Sequence, residues 1–542
     1  MQRIDKQVFF WENPQMLGFT NPARATVMVV KEIIDNALDA CEEANTLPEI
    51  SVELASDGDI FTIHARDNGI GIPPDKVESA FGELLFGSKF DVYKQTRGQQ
   101  GIGVSAAFLW SQKTIGEPVR VVTKMKDSDA WEFILTTKGR GILKVKSKRK
   151  IFALFDHGTM VEMKFRGSWQ SKKHLLMYLE GVALANPHAN ISVKLNGEEI
   201  VFRRRTEQTP HIPKEVSRHP HTVDVGLIEE IASKLQYRKL RALLTDNFAI
   251  GKITIKKIEQ VCDFLDVNPK KVTKQQLRKL TDVIRSMKFP IPSSECLSPL
   301  GEEIIRKSLQ RYDPQLISAV KRSISIYNGH PFLVECGVAY SGKIDGFKLF
   351  RVANRVPLVY DEGACAITHA VKSVNWKSYG FKQNKNELPS ERMVAFIHFC
   401  STLVPFGNQA KTYIVPDELI IKEIKLALQQ ALRDVSKKVS RKRKAEQQEK
   451  EFEEKYKVAL ELARKVYDVI GDTKEPPYES IAKMCKAVLV DDINGFVINT
   501  TDRVINVDGR EIKPSKKVKL DKVNIDKIPI KVYVSEIREV WE

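Results

Sequence analysis

Glu32 and Asn36 stand four residues apart in Glu32-Ile33-Ile34-Asp35-Asn36-Ala37-Leu38-Asp39, and Asp67-Asn68-Gly69-Ile70-Gly71 follows about thirty residues later. Helical residues turn by about 100° each. Glu32, Asn36 and Asp39 therefore share a polar stripe, with Val30, Ile33, Ile34, Ala37, Leu38 and Cys41 on the other side. A carboxylate there can activate a water, and a carboxamide one turn away can hold a metal ion beside a phosphate. Alone, the stripe is an ordinary solvated helix face. The second motif changes the balance. A buried carboxylate at Asp67 can accept a hydrogen bond from an exocyclic amine, which adenine has and guanine lacks at the equivalent edge. Gly69 and Gly71 would let the backbone approach a flat base. A calcium loop needs acidic side chains at alternate positions, and these are absent.

A third segment, Arg97-Gly98-Gln99-Gln100-Gly101-Ile102-Gly103-Val104-Ser105, runs into the helix-like Ala106–Trp110. Glycines feeding a helix N-terminus form a phosphate cradle from exposed N–H groups. No Gly-Lys-Ser/Thr is present, so this is not a Walker loop. Upstream, Gly87-Ser88-Lys89 offers a hydroxyl and a cation, and His157-Gly158-Thr159 offers a hydroxyl before a strand.

These groups need elements to carry them. Apolar spacing predicts a helix from Pro22 to about Glu43. Ile50, Val52 and Leu54, then Phe61, Ile63 and Ala65, alternate around Ser56-Asp57-Gly58-Asp59, which reads as a hairpin delivering Asp67 to a sheet end. Val119–Val122, Trp131–Leu135 and Met160–Phe165 add strands, and Lys172–Asn186 a helix. The expectation is an α/β sandwich with a mainly antiparallel sheet. An apolar arm with Phe9, Phe10 and Trp11 precedes it.

The pattern breaks around Arg203–His221. Short helices follow at Leu227–Leu235, Arg238–Leu244, Lys256–Leu265 and Lys274–Met287, decorated with lysines. They suit either a DNA-contacting module or an ordinary solvated surface. Strands return at Phe332–Tyr340, Lys348–Val352 and Met393–Phe399, before a long helix from Asp417 with apolar Ile420, Ile424, Leu428, Ala431, Val435 and Val439. Its basic Lys437–Lys444 block suits partner docking or plain solvation. Residues 486–538 read as a small β appendage without chemistry, and Asp491-Asp492 as surface.

With 542 residues, three or four domains are expected. Seven scattered cysteines without a Cys-x-x-Cys pair argue against a disulfide framework or structural zinc and fit a reducing cytoplasm. No leader-like segment opens the chain, and no apolar run approaches the ~20 residues of a membrane span. A net charge of +17 favours polyanionic partners, with a lysine-rich proteome as the plainer explanation.

Taken together, the motifs resemble the GHKL ATPase superfamily of gyrase, heat-shock chaperones, mismatch-repair ATPases and histidine kinases. The surrounding blocks narrow this: Met16-Leu17-Gly18-Phe19, Ala80-Phe81-Gly82, Thr96–Gly101, Gly329-His330-Pro331-Phe332, Ala353-Asn354-Arg355-Val356-Pro357-Leu358 and Cys400-Ser401-Thr402. Over about residues 5–445 the chain is similar to the B subunit of type IIB DNA topoisomerase VI.

The resemblance implies an α+β multidomain fold: a GHKL (Bergerat) α/β sandwich with its arm (1–220), a helix-two-turn-helix insert (221–304), an α/β transducer with a long partner-binding helix (305–466), and a tail (467–542). It implies that Glu32 polarises the attacking water, Asn36 ligates Mg²⁺ and Asp67 reads adenine beside Gly69 and Gly71. Gly98, Gln99, Gln100, Gly101, Ile102, Gly103, Val104 and Ser105 would form the lid over ATP, with Ser88, Lys89 and Thr159 as further contacts. In Gln409-Ala410-Lys411-Thr412-Tyr413-Ile414, Lys411 takes the place of the family's γ-phosphate-sensing lysine. The family often has Lys where this chain has Ser105. It further implies an archaeal cytoplasmic, nucleoid-associated enzyme that relaxes supercoiled double-stranded DNA and dimerises on ATP with the Phe9–Trp11 arm bracing the joint. Its partner would be the topoisomerase VI A subunit, the tyrosine-bearing cleavage component, in an A₂B₂ heterotetramer. A GHKL chaperone or mismatch-repair ATPase is the rival reading; the helical insert and the 329–361 block oppose it.

Overall fold

The computed structural model describes residues 6–84, 93–98, 102–340, 344–470, 475–507, 510–528 and 530–541. It divides into two compact units, Met1–Val435 and Ser436–Glu542.

The first unit opens with α1 (Lys6–Glu12), whose Phe10 and Trp11 pack on the main core. The site-bearing helix is α2 (Pro22–Glu43). Its start is locally specified: the Asn21 side chain accepts from Arg24 N at 2.9 Å, and Pro22 takes the first turn, where no N–H is needed. Next come β1 (Glu49–Asp57) and β2 (Ile60–Arg66), joined at Gly58 with φ +60°. Then follow α3 (Val77–Gly82), α4 (Gly103–Thr114), β3 (Val119–Lys124), β4 (Ala130–Lys138), β5 (Ile142–Ile151) and β6 (Gly158–Arg166). Helix α5 (Lys172–Ala185), β7 (Asn190–Leu195) and β8 (Glu198–Phe202) complete the layer.

The eight strands order as β5-β4-β3-β6-β2-β1-β7-β8. Only the β1–β7 pair is parallel. Val27, Val30, Ile34 and Leu38 of α2 share one core with Phe61, Ile63, Met163 and Phe165 of the sheet, and with Phe108 and Tyr178 of the flanking helices. The expected sandwich is present, with three strands beyond those anticipated. β5 is a sheet edge in which Lys144, Lys146, Lys148 and Lys150 recur, so no buried face shows in its sequence. β7 and β8 continue the sheet beyond β1, outside the segment of strands expected from apolar alternation.

Helices α6 (Val225–Lys234), α7 (Leu240–Asn247), α8 (Lys252–Glu259) and α9 (Lys274–Ser286) enclose their own core of Ile228, Leu244, Phe248, Ile258, Leu280 and Ile284. After α10 (Glu302–Leu309) come β9 (Leu316–Lys321), β10 (Ser325–Tyr327), β11 (His330–Tyr340), β12 (Phe347–Ala353), β13 (Val356–Pro357), α11 (Ala366–Ser373) and β14 (Met393–Ser401). This sheet orders as β10-β11-β14-β12-β13, with β9 also on β11. β14 is buried along its whole length, as a central strand should be.

Helix α12 (Glu418–Ile470) starts where Asp417 Oδ1 accepts from Leu419 N at 2.9 Å, and its predicted apolar positions from Ile420 to Val439 are buried. In the second unit, α13 (Tyr478–Met484), β15 (Val488–Asp491), β16 (Phe496–Ile498), β17 (Ile505–Val507), β18 (Arg510–Ile512), β19 (Lys517–Lys519), β20 (Lys531–Tyr533) and α14 (Val534–Trp541) form the tail. Its four-stranded sheet, β19-β16-β15-β20, and two helices enclose Ile481, Leu489, Val532 and Ile537, and Phe452 and Tyr456 of α12 pack against this core. The tail thus carries two helices besides the expected strands. All seven cysteines are free and buried, and among the described residues no helix is long and apolar enough to cross a membrane.

Candidate active site

A cavity of ≈560 Å³ lies between α2, the ends of β2 and β6, the start of α4 and the segment before α12. That volume suits a small-molecule ligand. Glu32, Asn36 and Asp39 line it from α2, Asp67 and Thr159 from the strand ends, and Lys411 from the far side.

Asp67 is buried, and Gly69 N and Thr159 N both donate to its Oδ1, at 2.8 and 3.2 Å. Among the described residues nothing donates to Oδ2, which leaves an acceptor for a ligand amine. Burial pushes the carboxyl up to about 6, although the two amides pull the other way. At neutral pH it is still mostly ionised.

The two glycines beside it serve the protein itself. A Cβ on Gly69 would meet Ala40 of α2 at 2.5 Å, and one on Gly71 (φ +76°) would collide with Lys124 O at the end of β3. Gly69 does not line the cavity; Gly71 does. On the side a Cβ would take, Gly69 abuts Ala40 of α2.

Glu32 is held by a residue that lies off the polar stripe. Lys31 is 5 % exposed, and its Nζ lies 2.8 Å from Glu32 Oε1 and 3.0 Å from Asp35 Oδ2. Tyr178 OH donates to Asp35 Oδ1 at 3.1 Å. Burial alone would lower the Lys31 ammonium, yet the charges of Glu32 and Asp35 raise it above the ordinary lysine value. The i,i+4 spacing of Lys31 and Asp35 is the signal in the sequence that points to this pair. Glu32 Oε2 points instead at the start of α4, where any Cβ on Gly103 would strike it. Asn36 Nδ2 donates to Glu32 O at 2.6 Å, which turns the amide so that Oδ1 is its remaining acceptor.

Helix α4 begins without a side-chain cap from Ile102, so the first amides, at Gly103, Val104 and Ser105, have no acceptor within the helix. Gly98, Ile102, Gly103, Val104 and Ser105 line the cavity. The Ser105 hydroxyl is turned away, with Ala80 O at 3.0 Å and Glu83 O at 3.1 Å. Only its backbone can meet a phosphate. Ser88, Lys89, Gln99, Gln100 and Gly101 lie outside the described residues. Lys411, at φ +53°, is half-buried and rests its Nζ 3.3 Å from Arg97 O. Burial and the nearby Lys31 charge hold this ammonium below the ordinary lysine range.

The arrangement combines a pinned carboxylate, an amide acceptor, an uncapped helix N-terminus, a cation and a buried carboxylate at the far end. It can bind an adenine nucleotide and activate a water. Residues 22–138 match the family described as histidine kinase-, DNA gyrase B-, and HSP90-like ATPase, and residues 292–451 match the topoisomerase VI B subunit transducer. The B subunit of type 2 DNA topoisomerase 6 from Archaeoglobus fulgidus is 39% identical over 487 residues, covering 88% of this chain and 80% of that protein. The chain belongs to this B-subunit family. The same-named protein of Pyrococcus horikoshii is 32% identical over 534 residues, 88% of this chain and 94% of the relative. That of Sulfurisphaera tokodaii is 36% identical over 452 residues, 80% and 84% of the two chains. The family places an ATP-driven type IIB topoisomerase subunit on an α+β multidomain fold, with a GHKL ATPase domain that binds nucleotide and a transducer.

Proposed function

We propose that the cavity is the ATP site of a DNA-capturing clamp and that Glu32 is its catalytic base. Asp67 Oδ2 accepts the adenine amine. The phosphates lie against the amides at the start of α4, with Thr159 nearby; Ser88, Lys89 and Gln99–Gly101 join from segments outside the described residues. Asn36 Oδ1 is a hard oxygen donor suited to magnesium, which characteristically keeps waters and phosphate oxygens as its other ligands. When bound, the ion would neutralise phosphate charge. Glu32 takes the proton of the attacking water on Oε2, while Lys31 holds Oε1 still. Lys411 exchanges Arg97 O for the γ-phosphate.

The orientation of Glu32 between Lys31 and Gly103 carries this reading. Residues 1–220, 221–304, 305–466 and 467–542 would act as ATPase domain, helix-two-turn-helix insert, transducer with docking helix, and tail. Two chains would close on ATP, with the Phe9–Trp11 arm bracing the joint, around double-stranded DNA. The topoisomerase VI A subunit would cut that DNA in an A₂B₂ assembly on the archaeal nucleoid. In Glu32→Ala, hydrolysis should fall by about 10²–10⁴-fold while nucleotide still binds. Single-turnover hydrolysis and equilibrium binding measure the two; unchanged turnover would sink the assignment.

A further inference from the structure

We infer that Asp361 is a positioning residue for Lys411, an inference that rests on reading Lys411 as the γ-phosphate contact. Lys411 belongs to a turn, residues 408–412, a short way ahead of α12. Lys411 N donates to Asn408 O at 3.2 Å and Thr412 N to Asn408 Oδ1 at 3.1 Å, which closes the turn. Lys411 itself sits at φ +53°. Asparagine and aspartate visit left-handed backbone with help from their short polar side chains, and lysine has no such help. A lysine stays there only where its surroundings hold it.

Those surroundings converge on one oxygen. Asp361 Oδ2 accepts from the Thr412 hydroxyl, from Arg24 Nη2 at 3.2 Å and from Asn408 Nδ2 at 3.4 Å. The Thr412 oxygen accepts in turn from Asn408 Nδ2 at 2.6 Å, so a chain of bonds runs from the Asn408 amide through Thr412 to the carboxylate. The Asp361 side chain is 36 % exposed, where a lone ion pair contributes little. Three donors on one oxygen fix a geometry as well as a charge.

The far end of this anchor is the helix that carries Glu32. Arg24 lies in the first turn of α2, its guanidinium 4.5 Å from the centroid of the Tyr360 ring. Glu32 follows on the same helix, about 12 Å further along at 1.5 Å per residue. A second contact holds the other side of the turn. Ala410 is so close to Gly18 (φ +91°) that a Cβ there would lie 2.8 Å from its own Cβ. Thr412 and Ala410, the two neighbours of Lys411, are thus both fastened, and the lysine side chain is left to carry any change of partner. Its Nζ rests on Arg97 O at 3.3 Å. From this base the same ammonium is offered to a γ-phosphate at a set position relative to Glu32.

An ammonium so placed distinguishes ATP from ADP, because only ATP carries the phosphate it meets. The test is equilibrium binding of ADP and of a non-hydrolysable ATP analogue to the full chain with Mg²⁺, read as the ratio of the two affinities. Lys411→Ala sets the scale: the analogue's advantage over ADP should fall about 10-fold, the loss of one hydrogen bond to a charged group. Asp361→Gly removes the carboxylate and tolerates its φ of +55°. Thr412→Val keeps the side-chain shape and removes only the linking hydroxyl. In each, the ratio should fall about 5-fold while ADP affinity stays within about 2-fold, since the adenine end is untouched. Asp361→Gly combined with Lys411→Ala should lose no more than Lys411→Ala alone. An unchanged ratio in either anchor variant, ADP and analogue weakening together, or additive losses in the double variant would each overturn the anchor. An unchanged ratio in Lys411→Ala would strike the γ-phosphate reading first, and the anchor with it.

Discussion

The middle of α2 and its C-terminal end hold charged clusters of similar burial and opposite arrangement. Around Glu32, one atom of each critical group is used internally and the other is left open: Oε1 of Glu32 on Lys31, Oδ1 of Asp67 on two amides, Nδ2 of Asn36 on a carbonyl. Around Glu42 the carboxylate and the Arg97 guanidinium are taken up, with Arg97 on three side chains and Arg355 forked onto the carboxylate, and among the described residues only Arg355 Nε and His188 Nε2 there lack a partner. An unfilled acceptor costs stability in a folded chain unless a ligand fills it. A saturated cluster instead holds neighbouring segments in register. One helix thus carries an open cluster at position 32 and a densely bonded one at position 42.

The largest test of that contrast removes the cation on which the open cluster depends. Lys31→Met should lower unfolding stability by about 3–5 kcal/mol at neutral pH, because buried Asp35 and half-buried Glu32 would face each other without the ammonium between them. The raised Lys31 group contributes stability that is fully present below its unfolded value and is lost only as alkaline pH passes through its folded one. Denaturant unfolding at pH 7.5 measures it. A loss below about 1 kcal/mol would mean that solvent screens this cluster and the contrast fails.

Asp67→Asn has a smaller effect of opposite sign. A carboxyl raised to about 6 favours folding when protonated, and that contribution disappears as pH rises through 6. The ionised side chain is therefore a burden at neutral pH. Asparagine removes it, with an expected gain on the order of 2–3 kcal/mol at pH 7.5 that shrinks towards pH 5. Nucleotide affinity should drop about 100-fold, since an amide donor would face the adenine amine. Calorimetry of the nucleotide-free and nucleotide-bound protein at both pH values gives both numbers. Wild-type affinity for an ATP analogue should also weaken as pH falls below about 6; a flat profile would contradict Asp67 as the adenine acceptor.

Much of this was legible locally. The helix Pro22–Glu43, the hairpin at Gly58 and the buried stripe of α12 follow from caps, turn residues and apolar period. So did the elements carrying Glu32, Asn36 and Asp67, whereas Lys411 was placed by the family resemblance; all four line one cavity. Local pattern failed where the reason was distant. β5 hides behind alternating lysines because only its partner β4 defines it as a strand. α8 stops at Glu259, yet Cys262, Phe264 and Leu265 remain buried in turns, so the periodicity outlasts the helix. The need for glycine at Gly69 that the structure shows is the closeness of Ala40, 29 positions earlier in the chain, which no local pattern reveals. Arg97 and Arg355 meet on Glu42 across separations of 55 and 313 residues, and no spacing rule spans such distances.

Ser105 gives the smallest and sharpest test. Its position among lid glycines suggests a phosphate hydroxyl, whereas the geometry commits that hydroxyl to Ala80 O and Glu83 O at the end of α3. One hydroxyl proton serves one acceptor at a time, so its net value is that of a single buried hydrogen bond. Ser105→Ala should cost about 1 kcal/mol of stability and leave the affinity for an ATP analogue within about 2-fold. If the hydroxyl belonged to the phosphates, the pattern would invert: affinity would fall about 10-fold and the nucleotide-free protein would melt as before. Comparing melting with and without nucleotide separates the two outcomes. The first assigns Ser105 to holding α3 against α4, on the saturated side of the contrast, even though it sits within the site that α4 opens.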